Sequence, residues 1–134
     1  MTKLRVVATI IAISQLVLGV AFLFFPSFMY TLMGIQIPTQ GVNYILGMLS
    51  ARLLVYGVAM FIIQSDLPRH RLWLDGMIMI QAIDLAAGLY YAGIGAVPFA
   101  DAAFPMANAT IFLIALAVLR PASKSEPVGQ MRHA

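Results

Sequence analysis

The chain has 134 residues, 62% of them apolar and 10% charged, with a mean hydropathy of +0.94. A soluble domain is about 45–50% apolar and about 25% charged, so a water-exposed globule is excluded and a bilayer is the expected solvent. The net charge of +3 does not point to nucleic acid, because Lys and Arg stand at the ends of apolar runs rather than along one face. With no cysteine, disulfides, thiolate metal sites and cysteine nucleophiles are excluded as well.

After a short basic start, Met1 to Arg5, an apolar run continues to Phe25 with Thr9, Ser14 and Gln15 as its clearly polar members. About 20 residues cross a bilayer core, so the run reads as a first spanning helix, about residues 5–25. A cleaved signal peptide is the rival reading, with Gly19-Val20-Ala21 as its site. Phe22-Leu23-Phe24-Phe25 carries the apolar run past that site and favours the span. Pro26 to Gly41 is uncharged but broken by Gly34, Pro38 and Gly41. It reads as a short interfacial helix, an ordinary connector, with a lid over a cavity between the helices as the alternative.

The second span covers about 42–64 and contains Arg52. A polar loop with Asp66, Arg69, His70 and Arg71 leads to the third span, about 72–92, which contains Gln81 and Asp84. A loop with Gly93, Gly95, Pro98 and Asp101 leads to the fourth, about 103–120, where Arg120-Pro121 ends it. Residues 1–121 thus read as one transmembrane domain, an all-α, up-down-up-down four-helix bundle. Residues 122–134 read as a polar, flexible cytoplasmic tail. All Lys and Arg except Arg52 then fall at one end of the bundle. Cytoplasmic loops are enriched in these residues, so the N- and C-termini are expected in the cytoplasm and the chain in a bacterial inner membrane.

A polar layer crosses this bundle. Arg52 and Asp84 stand equally far along the chain from Pro68, so an antiparallel hairpin puts them at one depth. Counted from the basic end, Gln15, Arg52, Asp84 and Asn108 each lie about 10–12 residues in, or about 15–18 Å. A charge at mid-membrane costs about 2.5–3.5 kcal/mol even on the lenient insertion scale. Arg cannot lose its proton, and Asp84 is the one carboxylate at its depth. An Arg52–Asp84 pair is therefore expected, facing the bundle interior, with Gln15, Gln81, Asn108 and Tyr56 available to complete its hydrogen bonds. Met77, Gln81, Asp84, Gly88 and Tyr91 share one helical face. Gly47, Ala51, Gly57, Ala86, Ala87 and Gly88 are small enough for close helix approach. The pair reads equally as a register-fixing device and as a binding or transfer site.

Other chemistry is missing. His70 and His133 lie in a loop and the tail, so no haem is ligated inside the bundle. No Glu-x-x-His pair, phosphate loop, dinucleotide fingerprint or nucleophile elbow occurs. Asp75 and Asp101 read as solvated interfacial residues, with Arg71 one turn before Asp75. The nine Met read as apolar filler rather than a copper path. No metal and no cofactor are expected.

Gly19…Phe24-Phe25-Pro26, the Gly34 turn and Ala51-Arg52…Tyr56-Gly57 together resemble small bacterial four-helix membrane proteins of the DoxX-like type. That resemblance implies an accessory membrane subunit or a quinone-associated protein. The expected function is a non-catalytic accessory or assembly subunit. The alternative is a small-molecule binder or transporter in which Arg52 and Asp84 meet an anion or a quinone-like carbonyl. An enzyme using Asp84 as acid or base ranks last, since no second catalytic group accompanies it. The expected partners are the lipid bilayer and protein neighbours in a membrane complex or homo-oligomer, without nucleic acid.

Overall fold

The computed structural model describes residues 1–34, 36 and 40–122. Pro38 and residues 123–134, which carry the expected tail, lie outside them. The described residues form five helices and no strand: α1 (Thr2–Phe24), α2 (Pro26–Leu32), α3 (Gln40–Ile62), α4 (Arg71–Gly93) and α5 (Phe99–Leu119). All but α2 are long and apolar enough to cross a membrane, the make-up of a multi-pass membrane protein.

Local chemistry sets the breaks. Phe25 leaves the helical region (φ −128°, ψ 49°) because it precedes Pro26, which in turn occupies the first position of α2. The amide of Phe25 still donates to Ala21 O at 2.8 Å, closing the last turn of α1. α3 tightens into a 3-10 turn, Ile63–Ser65, before the polar loop. α5 begins at Phe99, earlier than the expected 103, and carries Pro105 inside it. A proline removes one N–H from the ladder without forbidding the turns on either side, so the helix runs through it near its start.

The helices associate as two tight pairs. α1 packs along α3 and α4 along α5, α1 meets α5 less extensively, and α3 barely touches α4. The hairpin partners of the polar loop are thus not each other's main partners. Small residues decide which faces close. At Gly19 a Cβ would stand 2.8 Å from Leu54 Cγ, and at Gly57 one would stand 2.7 Å from Leu16 Cγ. At Gly88 it would stand 2.5 Å from Met106 Cγ. Gly47, by contrast, has open space around it, and Ala51, Ala86 and Ala87 are exposed.

One apolar cluster joins the pairs, and it lies at the basic end. Leu4, Ile11, Met60, Leu74, Met77 and Leu116 are among its buried members. Many large apolar side chains stay exposed, such as Val17, Tyr44, Ile83 and Val118, which a lipid environment accommodates.

Candidate functional site

The expected ion pair forms. Arg52 Nη2 lies 3.5 Å from Asp84 Oδ1 and donates to it. It joins α3 to α4 at mid-helix, where those helices otherwise scarcely meet. Its expected burial is not found. The two side chains are 40% and 42% exposed, and among the described residues no charged side chain is buried. The reason is the pairing of the helices: α3 turns Gly57 to α1 and α4 turns Gly88 to α5. Arg52 and Asp84 are left at the seam between pairs.

The remaining layer does not assemble around the pair. Gln15 and Gln81 are buried and Asn108 is half-buried. Among the described residues, none of them hydrogen-bonds to Arg52 or Asp84; Gln81 Nε2 instead donates to Met77 Sδ at 3.4 Å. Tyr56 turns toward α4, its ring edge-on to Trp73 at 5.6 Å between centroids. Its hydroxyl sits beside Gly76, 3.1 Å from where a Cβ would be.

Asp84 also lines a cavity of about 210 Å³ between α4 and α5, with Gly88, Tyr91, Met106, Asp101 and Met33. Met33 comes from the turn that ends α2, so this connector does border a cavity. Tyr30 in α2 is buried, and its hydroxyl donates to Asn43 Oδ1 at 3.4 Å. Asp101 is half-buried, its carboxylate beside Gly34. Gly34 has φ +67°, and a Cβ there would stand 3.1 Å from both Asp101 oxygens. Gly95 has φ +72° with nothing nearby. Gly34→Ala is therefore expected to cost about 1–2 kcal/mol for the left-handed backbone plus the contact with Asp101, and Gly95→Ala the backbone part alone. Thermal midpoints of the two variants in lipid nanodiscs test this. Equal losses would show that the Asp101 contact carries no weight.

A second polar cluster lies at the basic end, and most of it escapes sequence reasoning. Asp75 Oδ2 accepts from Arg120 Nη2 at 2.5 Å and lies 3.9 Å from Arg71 Nε. The one-turn spacing reveals the Arg71 partner. Arg120 stands 45 residues away along the chain, and only the shared bundle end hints at it. The hydrogen bond that Arg120 donates to Asp75 raises its guanidinium above the ordinary pKa, against a smaller opposing effect of desolvation. Asp75 Oδ1 and Gln64 Nε2 are buried without partners. For Gln64 the remedy is local. Thr9 Oγ1 lies 2.9 Å from Arg5 O and 3.1 Å from Gln64 Oε1, and one hydroxyl proton cannot serve both. With the Gln64 amide turned over, Nε2 donates to Thr9 while Thr9 donates to Arg5.

No protein-family model, curated protein or solved structure matches the chain.

Proposed function

We propose that the chain is a non-catalytic subunit of a larger bacterial inner-membrane assembly, and that it meets its neighbour through the α3–α4 face. The observation that carries this is the Arg52–Asp84 pair, set midway along two 23-residue spans and about two-fifths exposed. Facing lipid, each charge would cost about 2.5–3.5 kcal/mol or more. A protein neighbour covers the pair and supplies acceptors for the guanidinium donors that Asp84 leaves free. Up-down-up-down threading with both termini in the cytoplasm agrees with the gathering of Lys and Arg at one end. The DoxX-like layout suits an accessory role beside quinone-linked machinery.

The cavity beside Asp84 favours a second reading, a small-molecule site for an anion or quinone-like carbonyl. Its volume of about 210 Å³ falls below the ~300 Å³ at which ligand pockets usually begin, so the subunit reading stands first. Blue-native electrophoresis of the untagged protein from its own membrane tests it. The chain should migrate in a species larger than itself, and Arg52→Gln combined with Asp84→Asn should deplete that species. Migration only as a free small protein would remove the proposal.

A further inference from the structure

The cluster around Asp75 sits at the mouth of a groove between α4 and α5, of about 310 Å³, lined by Asp75, Ile78, Met79, Ala117 and Arg120. Its polarity changes along its length. Arg120, Asp75 and, through Asp75, Arg71 gather where the two spans end. Ile78 and Met79 follow one turn deeper on α4, with Ala117 opposite on α5. Two guanidinium groups share one carboxylate oxygen, so the cluster carries one uncompensated positive charge. Both guanidinium groups stay partly exposed and retain N–H donors beyond those that Asp75 occupies. A positive mouth at headgroup depth above an apolar floor is complementary to one amphiphile of the surrounding solvent.

We propose that this groove binds an anionic phospholipid, its phosphate held by Arg120 and Arg71 and one acyl chain lying along Ile78, Met79 and Ala117. The phosphate supplies the negative charge that Asp75 alone leaves unmatched. Guanidinium is the preferred partner of a phosphate because its fork offers paired donors. Basic pockets between spans on the cytoplasmic side hold lipid headgroups on the same principle. Asp75 keeps the two arginines converged on one point; without it their like charges would repel.

Native mass spectrometry of the full chain in non-ionic detergent tests the site, with dioleoyl-phosphatidylglycerol, dioleoyl-phosphatidylcholine and inorganic phosphate as probes. One phosphatidylglycerol should remain bound, at least about fivefold in preference to phosphatidylcholine, as one uncompensated arginine near a headgroup predicts. Arg120→Gln should abolish that preference, and Arg120→Lys should restore part of it. Met79→Trp fills the floor and leaves every charge in place, so it should weaken retention of phosphatidylglycerol even if Arg120→Gln does not fold. Equal retention of the two lipids would overturn the proposal. So would displacement by millimolar inorganic phosphate, which would mark a plain anion site, or phosphatidylglycerol binding that survives Met79→Trp unchanged.

Discussion

Asp84→Asn is expected to damage the protein more than Arg52→Gln, although each removes one partner of the same ion pair. Asp84→Asn leaves the Arg52 guanidinium without its partner midway along α3, and a guanidinium keeps its charge in proteins. Arg52→Gln leaves a carboxyl group instead, a kind of group that can become neutral in an apolar setting, as a guanidinium cannot. The stranded arginine should cost about 2.5–3.5 kcal/mol on the insertion scale, and the stranded carboxyl less, since it need not stay charged. The double variant leaves no charge behind and should recover most of the loss, as replaced ion pairs commonly do. Thermal unfolding in lipid nanodiscs and the amount of protein reaching the membrane are the measurements. Equal damage from the two single variants, or a double variant worse than either, would show that the pair does not lie in a water-poor setting.

Gly57→Ala should destabilise the bundle while Gly47→Ala stabilises it. Both glycines lie inside α3, and alanine ordinarily improves a helix by about 1 kcal/mol over glycine. At Gly47 the new methyl meets nothing within 4 Å, so the ordinary gain should appear. At Gly57 it would stand 2.7 Å from Leu16 Cγ and 3.2 Å from the Ala12 carbonyl oxygen. The carbonyl belongs to the backbone of α1 and cannot swing away, so α1 and α3 must separate, at about 1–3 kcal/mol for an overpacked contact. Opposite signs in the shift of thermal midpoint are the expected result. A stabilised Gly57→Ala would mean that α1 and α3 are less closely joined than the structure has them.

The candidate site was half legible. Depth along a helix can be counted from a sequence, since each residue adds about 1.5 Å, and that count brought Arg52 to Asp84. Angle about the helix axis matters only relative to a neighbour, and the sequence does not name the neighbour. Gln15, Gln81 and Asn108 share the depth of the pair, yet among the described residues none bonds to it; Gln81 donates instead to Met77 on its own helix. The Asp75–Arg120 contact and the approach of Asp101 to Gly34 join connectors or helix ends far apart in the chain. No periodicity runs through such pairs, so only their common end of the bundle could have hinted at them.

What the sequence determined by itself is the solvent, the number of long helices and the places where they stop. Apolar runs of about 20 residues, proline and glycine breaks, and charges that stand, apart from Arg52 and Asp84, near segment ends act locally, so composition and order suffice. Only the tertiary structure decided that α3 pairs with α1 and α4 with α5, and so whether the ion pair lies inside or outside. Helix association in lipid is driven by close packing rather than by hydrophobicity. The deciding contacts are a few small residues, Gly19 and Gly57 on one pair and Gly88 on the other, whose partners lie far along the chain.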